Sequence, residues 1–253
     1  MGQKTVILEL DVGNSRIKWR RMSVDRSETL SRGINLDEDK FFVEQVDYGA
    51  PSCFLIGSVA DKRLTKRISK WSENKWSLAP LEAQVRRFCG GVKINYADVT
   101  RLGVDRWLAM LTAFERSKGP CIVVDSGTAF TMDILNEDGI HLGGYILPGL
   151  RLMKESLTFK TGIRLEAKAL EPCLELGNST DEAVINGGLA ALVALIEKKI
   201  EELSKSGCDP KVYLTGGDAD FFVRQMDFPA LELDMDLVLD GLRIACAAVG
   251  DSG

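Results

Sequence analysis

One pattern occurs twice in this chain, and it restricts the fold more than any other feature. "ILELDVGNSRIKW" at 7–19 and "CIVVDSGTAFTMDIL" at 121–135 each run as a strand-like segment, an Asp, any residue, a Gly, a small polar residue and a second strand-like segment. Asp11 corresponds to Asp125, Gly13 to Gly127 and Asn14 to Thr128, 114 residues apart in a chain of 253. A single copy reads most simply as a β-hairpin, because Gly and Asn tolerate positive φ between β-favouring runs. Two copies at nearly half the chain length point to duplicated halves, since the spacing is too wide for a short solenoid repeat. Each turn then brings a carboxylate and several backbone N–H groups to a strand end, where Gly lets a phosphate approach closely. Facing each other across a cleft, two such turns can hold a polyphosphate and its metal.

The remaining segments alternate between strand and helix patterns. Strands are expected near "SCFLIGSVA" at 52–60 and "KVYLTGG" at 211–217, where Gly216-Gly217 leads into a helix. That glycine pair is either a plain strand-to-helix turn or the place for a nucleotide's adenosine end. In "RWLAMLTAFERSKG", Trp107, Met110, Leu111 and Phe114 recur at helical spacing toward a core, with Gly119 as the stop. "STDEAVINGGLAALVALIEKKIEELSKSG" opens on a capping box, Ser179 to Glu182, and closes in a basic turn before Gly207. This alternation predicts an α/β protein of two similar sheets covered by helices, with halves at 1–118 and 119–253.

Composition narrows the chemistry. A net charge of -5 gives no overall field toward nucleic acid, so local Lys and Arg must do any phosphate work. The six cysteines lie far apart without a Cys-x-x-Cys pair, which suggests neither a zinc site nor a disulfide framework and fits reduced thiols in the cytoplasm. The most apolar run, "AALVALI" at 190–196, is well short of the ~18 residues of a membrane span, and the opening residues carry no signal-peptide pattern. With His141 as the only histidine, a Ser-His pair or a set of His ligands is disfavoured, and carboxylates are left to carry acid–base work. "KRLTKRISKW" at 62–71 reads as the solvated face of a helix, and residues 20–90 carry almost no functional signal.

Between the two hairpins lies "INYADVTRLGVDRWLAML", with Gly103, Asp105 and Arg106 directly ahead of the helix. Asp105 is either a plain N-cap or a carboxylate that accepts a proton from a bound hydroxyl while Arg106 grips a carboxylate. "GGYILPGL" at 143–150 describes a shaped loop before another helix. Thr180 sits in a cap region whose hydroxyl and nearby N–H groups can receive an anion, and Tyr96 reads equally well as half-buried core.

The ordered set "DVGNSRIK", "GVDRW", "DSGTAFT", "GGYILPG", "NST" and "TGGDA", with "DLVLDGL" near the end, closely resembles the type III pantothenate kinases over about residues 7 to 245. These belong to the acetate and sugar kinase, Hsp70 and actin superfamily. The resemblance implies an α/β fold of duplicated ribonuclease H-like (actin-like ATPase) domains with a cleft between them. It implies an ATP-dependent kinase that phosphorylates pantothenate to 4'-phosphopantothenate, the first step of coenzyme A synthesis. By the same resemblance Asp11, Val12, Gly13, Asn14, Ser15, Arg16, Ile17 and Lys18 form the first phosphate loop, with Asp11 near magnesium, and Thr128 contacts ATP. Asp125 would bind a monovalent cation, potassium or ammonium. Gly103, Val104, Asp105 and Arg106 match the pantothenate-binding motif with Asp105 as base, and Tyr96 and Thr180 fall at pantothenate-contacting positions. Family members are cytoplasmic homodimers, in some of which the second subunit completes the pantothenate pocket, which leaves open whether Thr180 acts across the interface; no nucleic acid or membrane partner is expected. A kinase of the same superfamily acting on acetate or a sugar is set apart by Gly103 to Arg106. A DNA-associated accessory factor is opposed by net acidity, and a non-catalytic nucleotide-binding module by the presence of Asp11, Asp105 and Asp125 together.

Overall fold

The computed structural model describes residues 6–166 and 170–250. They form two compact units, one holding the chain up to Thr112 together with the segment from Asp236 onward, the other Ala113–Met235.

The first unit contains β1 (Val6–Val12), β2 (Ile17–Ser23), β3 (Thr29–Asn35), α1 (Glu38–Tyr48), β4 (Cys53–Ser58), α2 (Lys62–Trp76) and β5 (Leu81–Glu82). A small hairpin of β6 (Phe88–Cys89) and β7 (Val92–Lys93) and a 3-10 turn at Val99–Arg101 lead into α3 (Val104–Ser117). The sheet order is β3-β2-β1-β4-β5, with β1, β2 and β3 an antiparallel meander and β4 and β5 parallel to β1. The second unit contains β8 (Cys121–Ser126), β9 (Ala129–Leu135), β10 (His141–Pro148), α4 (Leu150–Lys160), α5 (Thr180–Lys205), β11 (Lys211–Thr215), α6 (Ala219–Gln225) and β12 (Leu231–Leu233). Its order, β10-β9-β8-β11-β12, repeats the first sheet strand for strand and direction for direction. The last helix, α7 (Leu237–Gly250), packs against β1 and β4 of the first unit. The repeated hairpin is therefore the start of a repeated five-stranded sheet, as the sequence duplication predicts.

Side-chain alternation along the strands decides which face each sheet buries. In the first unit Leu8, Leu10, Val12, Ile17 and Trp19 meet Phe41 of α1 and Ile68 of α2 in one core. In the second, Ile122, Val124, Phe130, Met132, Val212 and Leu214 meet the stripe Leu189, Leu192, Val193 and Ile196 of α5. That three-and-four spacing gives one apolar face to a helix of 26 residues. Its ends are closed by local chemistry. The Ser179 hydroxyl accepts the Glu182 N–H at 3.2 Å, and Glu182 reaches back to the N–H of Asn178 at 2.7 Å, one residue before the cap. At the other end Gly207, at φ +81°, lets its own N–H reach Ser204 O and that of Cys208 reach Leu203 O, both at 3.0 Å.

Two local expectations shift. α3 ends at Ser117 with Lys118 in the left-handed region at φ +51°, so the stop precedes Gly119 by one residue. Trp107, Met110 and Leu111 are fully buried, whereas Phe114 is only half-buried. Trp107 to Ala113 are all buried, so this helix lacks a solvated face over that stretch, which its two polar members, Arg106 just before and Thr112 within, did not signal.

The opposite face of the first sheet holds a buried cluster of charge. Glu9, fully buried in β1, accepts from Arg20 Nε at 2.5 Å across the β1–β2 ladder and also pairs with Arg26. Arg20 continues to Asp240 of α7 at 2.5 Å and to Asp236 at 3.3 Å. Burial disfavours the charge on Arg20, but the Glu9 and Asp240 carboxylates outweigh it and raise its pKa. Removing one partner from a buried ion pair costs about 3–5 kcal/mol, because the other charge is left uncompensated. Arg20→Ala is therefore expected to lower the unfolding free energy by about that much, read from urea denaturation. A loss below about 1 kcal/mol would mean that Arg26 alone satisfies Glu9.

Candidate functional site

In the first unit, β1 and β2 are joined by Gly13–Arg16, closed by the Gly13 N–H donating to the Arg16 carbonyl at 3.0 Å. Neither Gly13 nor Asn14 is at positive φ, so the loop does not use the left-handed geometry expected of a two-residue Gly-Asn turn. Four residues span the gap without it. Val12 and Ile17 are buried at the loop's base, Asn14, Ser15 and Arg16 are exposed at its tip, and half-buried Lys18 stands opposite Asp11 in the ladder. Antiparallel partners point to the same face, so an acid and a base flank this turn on one side.

The start of α3 brings the other first-unit candidates together. The Trp107 N–H donates to the Gly103 carbonyl at 3.1 Å, which makes Gly103 the capping position and puts Asp105 inside the first turn beside buried Val104. Asp105 is thus not the N-cap. Its Oδ1 accepts the Arg106 N–H at 2.8 Å and folds back over Gly103, where a Cβ would stand only 2.5 Å away. Arg106 is buried, and its Nη1 donates to the Tyr96 hydroxyl at 3.3 Å. Arg87, which the sequence did not single out, holds the Tyr96 segment: its guanidinium donates to the carbonyls of Ile94 at 3.2 Å, Tyr96 at 3.0 Å and Ala97 at 3.1 Å. An arginine that binds only backbone carbonyls leaves no motif to find. An open cavity of about 710 Å³ adjoins Gly103 and Val104 and is also lined by Ser58, Lys62, Thr65 and Arg101.

In the second unit, the matching hairpin is one residue shorter, closed by the Gly127 N–H on the Ala129 carbonyl at 3.0 Å. Half-buried Asp125 and Thr128 flank it. Two distant loops press on it. Gly149, which precedes α4, donates its N–H to Thr128 O at 3.0 Å, and a Cβ there would lie 2.0 Å from Gly127 O. The expected "GGYILPGL" loop is instead strand: residues 143–148 pair with β9 as part of β10, and Gly149 alone makes the turn into α4. Gly216 adopts φ +96°, and a Cβ on it would stand 2.4 Å from Asp125 Oδ1, while the Asp218 N–H donates to Ser126 O at 2.9 Å. Thr215, the ladder partner of Asp125 in parallel register, shares its face. The Thr215 hydroxyl is buried and makes no hydrogen bond among the described residues. A carboxylate beside an unpartnered hydroxyl offers the oxygen donors that a hard cation takes. Sequence reasoning missed Thr215, although its place before Gly216-Gly217 at the end of a strand was the available signal. Thr180 opens α5 as an exposed residue of the same unit, just after the Ser179 cap.

Comparison with known proteins bears on these groups. A family model described as type III pantothenate kinase matches residues 7–202. The type III pantothenate kinase of Pseudomonas fluorescens (strain SBW25) is 38% identical over 251 residues, covering 95% of this chain and 99% of that protein. That of Pseudomonas putida (strain W619) is 39% identical over 250 residues, with 95% and 99% covered. Among solved structures, a Campylobacter jejuni protein described as a Baf family transcriptional activator superposes with a TM-score of 0.62 at 21% identity, covering 97% of this chain and 99% of that one. A Sinorhizobium meliloti protein described as a 2-dehydro-3-deoxygalactonokinase gives 0.53 at 15% identity, with 97% and 99% covered. At such identities these two establish the duplicated α/β fold alone.

Because a Gly149 side chain would meet backbone atoms and not a movable side-chain end, Gly149→Ala is expected to cost about 1–3 kcal/mol through overpacking. Differential scanning calorimetry measures it, and an unchanged Tm would show that the hairpin yields without strain.

Proposed function

The chain belongs to the type III pantothenate kinase family, and from that membership we propose that it transfers the γ-phosphoryl group of ATP to the primary hydroxyl of pantothenate, giving 4'-phosphopantothenate for coenzyme A synthesis. The observation that carries this reading is the first turn of α3, where Asp105, Arg106 and the Tyr96 hydroxyl are gathered by direct hydrogen bonds around Gly103. An acceptor hydroxyl needs a carboxylate to orient it, and neighbouring polar groups hold the rest of the molecule.

The roles follow from the chemistry of phosphoryl transfer. Its transition state is largely loose, so positioning and charge neutralisation matter more than early removal of the proton. Asp105 orients the hydroxyl and takes its proton late. The loop Asp11, Val12, Gly13, Asn14, Ser15, Arg16, Ile17 and Lys18 receives the phosphates through backbone N–H groups, with Lys18 offsetting charge and Asp11 facing the magnesium that accompanies ATP. Thr128 supplies a further contact to the nucleotide. Tyr96, Gly103, Val104 and Arg106 line the pantothenate side, and Thr180 adds a contact from the head of α5. Asp125, with Thr215 beside it, suits potassium or ammonium, which when bound supplies positive charge near the phosphates.

We assign a homodimer to the chain as well. The second unit exposes Leu142, Tyr145 and Ile146 on the edge strand β10, and Phe159 of α4 is 82% exposed, apolar side chains available to a partner copy. Sedimentation equilibrium at micromolar protein tests this, and a monomer mass would remove the assignment. All six cysteines are free thiols, which fits a cytoplasmic enzyme, and no helix among the described residues is long and apolar enough to cross a membrane.

A coupled assay with pantothenate and magnesium-ATP tests the reading directly. Turnover is expected in potassium and is expected to fall in sodium. Asp105→Asn should lower kcat by roughly 10² or more with the fold retained, the size of lost general-base help. Full turnover by that variant would reject the role of Asp105.

A further inference from the structure

Arg86 and Arg87 are neighbours in sequence with different targets. The Arg86 guanidinium turns to α7, donating to the Ala245 carbonyl and to Cys89 Sγ, the latter at 3.3 Å. That of Arg87 turns to the chain between β7 and the 3-10 turn, where Ile94 to Asp98 form neither helix nor strand. Such a stretch must find partners for its carbonyls outside any ladder. Arg87 takes three of them: Nη1 donates to Ile94 O at 3.2 Å and Tyr96 O at 3.0 Å, and Nη2 donates to Ala97 O at 3.1 Å. Both ends of the stretch are also anchored. The Ile94 N–H donates to Arg87 O at 2.8 Å, and the Asp98 carboxylate accepts the Thr100 N–H at 3.0 Å and hydroxyl at 2.7 Å. Between those anchors the planar fork of Arg87 sets the path of the main chain.

That path decides where one side chain of the acceptor site stands. Tyr96 is half-buried, and its hydroxyl accepts from Arg106 Nη1 at 3.3 Å. Arg106 is buried and held by α3, a regular helix, whereas Tyr96 sits on a stretch without regular structure. We propose that Arg87 is a positioning residue for the acceptor: without touching it, the guanidinium fixes the Tyr96 main chain so that the Tyr96 hydroxyl is presented to the acceptor beside Arg106. Arginine suits this task better than lysine, because its donors spread in a rigid plane over the carbonyls of 94, 96 and 97, which a single ammonium does not reach together. Without Arg87 the stretch samples other paths, and an acceptor that fits one of them binds more weakly in proportion to the fraction of molecules that hold it. Asp105 stands in the first turn of α3 and keeps its place, so the effect falls on KM and spares kcat.

This inference rests on pantothenate being the acceptor that Tyr96 contacts. Steady-state kinetics of the full-length protein, with pantothenate varied at saturating magnesium-ATP, test it. Arg87→Met is expected to raise KM for pantothenate roughly tenfold and to leave kcat within about twofold, as the loss of charge-assisted hydrogen bonds predicts. A role in stability alone would lower the folded fraction, which reduces apparent kcat and leaves KM unmoved. Arg87→Lys should recover part of the loss. Because the effect passes through Tyr96, adding Arg87→Met to the Tyr96→Phe variant should raise KM by no more than about threefold further, since residues that act as one unit are not additive. A native KM in folded Arg87→Met overturns the assignment, and so does a full tenfold rise in the Tyr96→Phe background, which would mean that Arg87 acts by another route. Native protein that does not phosphorylate pantothenate overturns the acceptor reading and this inference with it, a result that an unmoved KM in an active variant does not resemble.

Discussion

Register between the first two strands is held by charge that cannot reach water. Glu9 and Arg20 are ladder partners on the face away from the α1–α2 core, and Asp11 and Lys18 are the next pair on that face toward the turn. A slip by one residue would carry Glu9 into the apolar layer of Leu8 and Leu10 and leave Arg20 without its carboxylate. The penalty for such a slip is far larger than any local turn preference. This explains why the Gly13–Arg16 loop can dispense with the left-handed residues that usually fix a hairpin, since the strands beneath it already decide where it lies.

The two sheets share order and direction but have diverged at corresponding places. The first hairpin is longer by a residue and carries Lys18, where the second has Thr131 opposite Asp125. In the parallel neighbour, Gly57 faces Asp11 where Thr215 faces Asp125. One copy thus presents an acid with a base across the ladder, while the other surrounds its acid with hydroxyl and backbone groups. The two turns therefore differ in the residues facing their acids and in loop length by one residue, within one shared sheet order.

How much of this was readable beforehand depends on the range of the forces involved. The strand–Asp-x-Gly–strand pattern, the Ser179 cap and the Gly207 stop rest on contacts within a few residues, and the structure reproduces them. Asp105 escaped its local interpretation because a carboxylate at the second helical position competes with one at the cap, and Gly103 left the cap free of a side chain. Lys118 could take the left-handed position in place of Gly119 because the Ser117 hydroxyl bonds to Gly119 O at 2.8 Å and secures the exit. Glu9 pairs with Arg20 across the ladder, but Arg20 also reaches Asp240, 220 residues away in sequence and beyond any periodicity. Gly149 and Gly216 are of the same kind, since what they touch is folded from elsewhere.

The contact between Arg20 and Asp240 also orders events during synthesis. A ribosome delivers the β1–β2 pair first and α7 last, so the nascent first unit must wait with a buried-type arginine only partly neutralised while the whole second unit emerges. Ala113–Met235 meanwhile contains every strand of its own sheet and can close as soon as it leaves the exit tunnel. The half translated earlier is thereby the half that matures later.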